Sequence, residues 1–124
     1  MVKKVMIVDD DVGVIYTVKH GIGGVDDYEV TTVSNGKKCF ELLENSPLPD
    51  LILLDIMMPD MTGWEIHERL KSNPTWRDIP IVFLTARKDQ MAKNAGSFLG
   101  EDYIEKPFRI PELKDRIDKI LKKL

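Results

Sequence analysis

Cysteine is nearly absent from this 124-residue sequence, where Cys39 stands alone. One thiol excludes an internal disulfide and leaves no cysteine cluster for a structural metal, which fits a reducing compartment and a small core residue. Long apolar runs are missing too. None approaches the ~18 residues of a membrane span, and the N-terminus lacks the basic-then-apolar order of a signal peptide, so a cytoplasmic chain with no membrane partner is expected. Positive charge is not in excess: the net charge is −3, and lysines and arginines stay scattered until the last turn. That balance argues against nucleic-acid binding by this domain. There is no repeat, linker or low-complexity tract. With 43% hydrophobic and 31% charged residues, one compact globular domain over residues 1–124 is expected.

What is present is a series of short apolar runs that end on polar side chains. Leu51-Ile52-Leu53-Leu54 has no polar alternation and predicts a strand buried on both faces, with Asp55 at its carboxyl end and a turn at Pro59. Val5-Met6-Ile7-Val8 is a second such run, ending on Asp9-Asp10-Asp11. Ile79-Pro80-Ile81-Val82-Phe83-Leu84 ends on Thr85, and Tyr103-Ile104-Glu105-Lys106 on a lysine before Pro107. Tyr28 to Val33 is rich in β-formers but partly polar, which suits an edge strand.

Helical spacing lies between the runs. Val14, Ile15, Val18 and Ile22 form one stripe after an acidic N-cap, and Cys39, Phe40 and Leu43 another after Ser34-Asn35-Gly36. Thr62-Gly63-Trp64-Glu65 has the spacing of a capping box and predicts a helix to about Lys71. Residues 88 to about 97 carry few large apolar side chains and predict a weakly packed helix. Pro111 suits a first helical turn before the stripe Leu113, Ile117, Ile120, Leu121 and Leu124. Five βα units predict an α/β, three-layer, doubly wound flavodoxin-like (βα)5 fold, its five-stranded parallel sheet in order 2-1-3-4-5.

In that order strands 1 and 3 are neighbours where the winding reverses, so Asp9, Asp10 and Asp55 converge on one crevice, with Thr85 and Lys106 on the same rim. Three close carboxylates raise one another's pKa unless a cation lies among them. An all-oxygen donor set without His or Cys favours Mg²⁺. A hard cation, a nucleophilic carboxylate, a hydroxyl and an ammonium group are the parts needed to receive a phosphoryl group.

These residues resemble a known family. Asp9-Asp10 after the first strand, Asp55-x-x-Met58-Pro59-x-x-x-Gly63, Leu84-Thr85-Ala86 and Asp102-Tyr103-Ile104-Glu105-Lys106-Pro107-Phe108 look like the receiver domains of two-component response regulators, especially chemotaxis-type single-domain receivers. The resemblance implies a regulatory signalling domain, not a turnover enzyme, that takes a phosphoryl group onto Asp55 from the phosphohistidine of a sensor histidine kinase. It implies Mg²⁺ held by Asp9, Asp10, Asp55 and the Met57 carbonyl, a switch hydroxyl on Thr85, an ion-pair partner in Lys106 and a switch aromatic in Tyr103. Asp11 is expected only to cap a helix. The switched surface would comprise the segment 88–97, the fifth strand and the final helix, acting on an unidentified protein target as a monomer or weak phosphorylation-dependent dimer. A cis Lys106–Pro107 bond is also expected.

Two other readings compete. A haloacid-dehalogenase-type Mg²⁺-dependent phosphatase would use Asp9 as nucleophile within Asp9-Asp10-Asp11. A flavodoxin would need a phosphate-holding Ser/Thr/Gly loop after the first strand, where the acidic triplet would repel the ligand.

Overall fold

The computed structural model describes residues 2–23, 28–86 and 102–122. Five parallel strands form one sheet in the order β2-β1-β3-β4-β5, the order that the βα alternation predicts. Their ranges are β1 Lys3–Val8, β2 Tyr28–Val33, β3 Leu51–Asp55, β4 Ile81–Thr85 and β5 Asp102–Glu105. The helices are α1 Val12–Ile22, α2 Gly36–Asn45, α3 Gly63–Ser72 and α4 Ile110–Leu121. The helix expected over 88–97 falls outside the described residues, as do Lys123 and Leu124.

The apolar runs are continuous because the central strands are covered twice. All five residues of β3 and of β4 are buried. Successive side chains point to opposite faces of the sheet, so each strand feeds two cores. On one face Met6, Val8, Ile52, Leu54, Ile81 and Phe83 meet Cys39 and Leu43 of α2 and Ile66 and Leu70 of α3. On the other, Val5, Ile7, Leu51, Leu53, Val82 and Leu84 meet Val18 and Ile22 of α1 and Leu113, Ile117 and Leu121 of α4. β2 lies at the edge and shows the mixed burial its composition predicts.

Strand boundaries shift slightly from the sequence reading. β4 begins at Ile81 rather than Ile79, although the Pro80 carbonyl still accepts from Ile52 N–H at 2.9 Å. Proline has no N–H to give the ladder, so the two-sided pairing starts after it. β5 ends at Glu105, yet Lys106 N–H donates to the Thr85 carbonyl at 2.8 Å, so the lysine stays tied to the end of β4.

The helix starts follow local chemistry. Asp11 Oδ1 accepts from the N–H groups of Gly13 and Val14, the N-cap role read for it. Asn35 caps α2 through Lys38 N–H. Thr62 Oγ1 accepts from Glu65 N–H at 3.2 Å, and its hydroxyl meets the Glu65 carboxylate at 3.4 Å, so the box closes side chain to side chain. α4 is pinned to β5 by Arg116, which reaches Asp102 Oδ1 at 2.8 Å and donates to the Tyr103 carbonyl at 3.1 Å. The Tyr28 hydroxyl joins the edge strand to Asp118 of α4. Among the described residues no helix is long and apolar enough to cross a membrane.

Candidate functional site

The site is built from the carboxyl ends of β1, β3 and β4 and the turn after β5. Asp9 prolongs β1, its N–H donating to the Val33 carbonyl at 3.1 Å, and Asp55 closes β3 in register with Leu84. Because β1 and β3 pair directly, their terminal acids meet. Asp9, Asp10 and Asp55 each offer a carboxylate oxygen within 4.8 Å of the others. Asp9 and Asp55 are buried while Asp10 is exposed, so the cluster opens to solvent on the Asp10 side.

In Asp9 and Asp55 alike, one carboxylate oxygen meets a backbone N–H and the other faces Lys106. Asp9 Oδ1 accepts from Asp11 N–H at 2.9 Å, which draws the acidic loop back over the strand end. Asp9 Oδ2 lies 2.7 Å from Lys106 Nζ but outside hydrogen-bond geometry, so the contact is ionic and this buried oxygen accepts no directed bond. Asp55 Oδ1 accepts from Met57 N–H at 3.3 Å, and Asp55 Oδ2 is 3.6 Å from Lys106 Nζ. Lys106, which the resemblance makes an ion-pair partner of the phosphoryl group, thus sits closer to Asp9 than to Asp55. A pair of buried acids sharing one ammonium remains under-compensated. Burial pushes the Asp55 carboxyl up to about 7, helped by the charge of Asp9 and opposed by Lys106 and the Met57 N–H.

This arrangement suits a hard divalent cation. Three oxygen donors converge, one of them a buried carboxylate oxygen without a hydrogen bond, and no imidazole or thiolate is among them.

Thr85 and Tyr103 take up neighbouring positions. Thr85 ends β4, as the sequence predicts, and is fully buried there. Alternation puts it on the face of Ile81 and Phe83, and Tyr103, paired with Phe83 across β4 and β5, packs against the same core. The Lys106–Pro107 peptide bond is cis, as the sequence reading expects.

Gly63, which stands in both the Asp55 motif and the capping box, also shapes the site. Its N–H donates to the Ile56 carbonyl at 2.9 Å, and a Cβ there would lie 2.3 Å from the Asp55 carbonyl oxygen and 2.8 Å from Ile56 Cα. The start of α3 thus presses on the backbone that carries Asp55, an approach only glycine allows. The signal available in the sequence was a glycine at the first position of a predicted helix, where propensity alone disfavours it. The primacy of Asp9 as the lysine's partner left no such signal, since residues 9 and 106 meet only through the sheet.

A family model for the response regulator receiver domain matches residues 5–118. The chain belongs to this family. It is 38% identical over 114 residues to a probable cyclic di-GMP phosphodiesterase of Vibrio cholerae, covering 91% of this chain and 25% of that protein. It is 32% identical over 124 residues to the phosphate regulon transcriptional regulatory protein PhoB of Rhizobium meliloti, covering 99% of this chain and 54% of that one. The solved structure of chemotaxis protein CheY4 from Vibrio cholerae superposes with a TM-score of 0.88 at 26% identity, covering 98% of this chain and 100% of CheY4. The receiver therefore spans a quarter to about half the length of these curated relatives. Receiver domains are regulatory modules of two-component systems, and in this chain the acidic cluster lies at the carboxyl end of the sheet.

Proposed function

We propose that this receiver accepts a phosphoryl group on Asp55 from the phosphohistidine of a sensor histidine kinase. The observation that carries the reading is the convergence of Asp9, Asp10 and Asp55 within 4.8 Å beside Lys106. In the transfer an Asp55 carboxylate oxygen forms the new bond to phosphorus, the phosphorus–nitrogen bond breaks, and its electron pair leaves with the imidazole. Asp9, Asp10, Asp55 and the Met57 carbonyl would hold Mg²⁺, which when bound neutralises charge on the crowded acids and the incoming phosphoryl oxygens. Lys106, tethered to Thr85, places its ammonium where it can reach a phosphoryl oxygen by leaving Asp9. An open pocket of about 500 Å³, lined by Asp11, Val14, Thr17, Lys106 and Phe108 among others, adjoins the lysine and leaves room for the donor.

The signal would pass from Thr85 to Tyr103 and so to the surface of β5 and α4, which an unidentified target protein meets. The chain would act in the cytoplasm as one receiver domain over residues 1–124, a monomer or weak phosphorylation-dependent dimer, with catalysis confined to its own modification. Family membership sets the phosphatase reading aside. Asp11, the second acid that reading requires, is already engaged in capping α1.

Labelling with a phosphorylated kinase or phosphoramidate tests the assignment. Asp55→Asn is expected to abolish labelling, and excess chelator to suppress it in the unaltered protein. Persistent labelling of the variant would overturn the acceptor assignment.

A further inference from the structure

Beside Asp55 the chain displays a side chain that the phosphoacceptor reading uses only through its backbone. Met57 is 58% exposed, whereas Met6 is 3% and Met58 6% exposed. Met61 is half-buried against the core, beside Gly36. Met57 is thus the most accessible thioether among the described residues. Its N–H is bonded to Asp55 Oδ1, so the residue's backbone is held against the acceptor carboxylate. Its side chain lies at a groove of about 390 Å³ formed with Ile56, Met58, Pro59, Thr62 and Trp64. The structure therefore joins in one residue an accessible thioether and a backbone N–H bonded to Asp55.

We propose that the Met57 thioether is a peroxide-sensitive modification site whose oxidation shortens the life of the phosphorylated receiver. The sulfur lone pair attacks one oxygen of hydrogen peroxide and the O–O bond breaks. One oxygen remains on sulfur as the sulfoxide, and the other leaves as water with both protons. Sulfur is oxidised by two electrons and peroxide is reduced by two. A thioether is a weak acceptor that repels solvent from the approach to an acyl phosphate, while a sulfoxide is polar and holds water by hydrogen bonding. Oxidation thereby places the attacking reagent of hydrolysis beside phosphorylated Asp55. The consequence for lifetime rests on Asp55 being the acceptor; selective oxidation does not.

The test has two separate measurements on the full chain. Brief hydrogen peroxide treatment followed by peptide mass mapping is expected to oxidise Met57 before Met6, Met58 and Met61. Oxidation of those three at an equal or greater rate overturns the proposal. Treated and untreated protein are then loaded with phosphoramidate at fixed Mg²⁺ and the decay of phosphoaspartate is followed. Treatment is expected to accelerate decay several-fold, methionine sulfoxide reductase to restore the original rate, and the treated-to-untreated ratio to stay near unity in Met57→Leu. Unchanged decay after oxidation, or the same acceleration in Met57→Leu, overturns it. An Asp55→Asn control that still labels would refute the acceptor assignment, and with it the lifetime effect, without touching the oxidation result.

Discussion

Lys106 lies 2.7 Å from Asp9 and 3.6 Å from Asp55, so one ammonium is divided between two buried acids. A cation seated among these carboxylates competes with the lysine for Asp9. Lys106→Met is therefore expected to bind Mg²⁺ several-fold more tightly, read by titration calorimetry. An unchanged or weaker affinity would show that the ammonium does not compete. The second consequence concerns pH. The Asp55 carboxyl rises from an ordinary 3.8 to about 7, so between those values the folded protein holds a proton that the unfolded chain has released. Stability from this group is fully present below the ordinary value and is lost as pH rises through the folded one. Metal-free protein is expected to melt at progressively lower temperature between about pH 4 and pH 7, with a flatter profile in Asp55→Asn. Mg²⁺ affinity should climb over the same range, because the metal needs the carboxylate. Melts in chelator that show equal slopes for both proteins would contradict this account.

Elements position these residues through their ends. β1, β3 and β4 deliver side chains to one edge because they are parallel and paired in register. α3 then closes on β3 through Gly63, whose missing Cβ leaves room for the Asp55 carbonyl. Gly63→Ala is expected to cost about 1–3 kcal/mol of stability, the usual range for overpacking, and to slow phosphorylation by displacing the Asp55 backbone. Urea midpoints and phosphoramidate labelling rates measure the two effects. Thr62→Ala supplies a comparison, since loss of an exposed N-cap typically costs about 1 kcal/mol without pushing on β3. If Gly63→Ala labels at the rate of Thr62→Ala, the close approach has no bearing on phosphorylation.

Across the whole molecule, two cores share every central strand, so a change at a strand end has packed matter on both sides to work against. Thr85 and Tyr103 belong to the face that holds Phe83, and Arg116 ties the Tyr103 carbonyl to α4. A shift of Thr85 toward a phosphoryl oxygen would alter the space beside Tyr103 and bias the surface of β5 and α4, which is a population shift between two packings. Thr85→Ala is expected to be phosphorylated near the normal rate but to lose most of its phosphorylation-dependent change at Tyr103, followed by ring NMR signals with and without beryllofluoride. A full response at Tyr103 in that variant would break the proposed route.

The sequence by itself determined the strands, most helix limits, the sheet order and the identity of the acidic cluster. These depend on local information: unbroken apolar runs demand two-sided burial, capping residues sit next to the helices they start, and alternating β and α elements admit few parallel topologies. Asp11 was legible as a cap for the same reason. Tertiary structure alone decided that Lys106 favours Asp9, that Thr85 is sealed from solvent, that Gly63 touches the backbone of Asp55 and that Met57 is exposed while Met58 beside it is buried. Residues 9, 55 and 106 are remote in the chain and meet only because parallel pairing aligns strand ends. Distances among them, and the burial that raises the Asp55 carboxyl, arise from how the sheet, its helices and their loops pack around that edge.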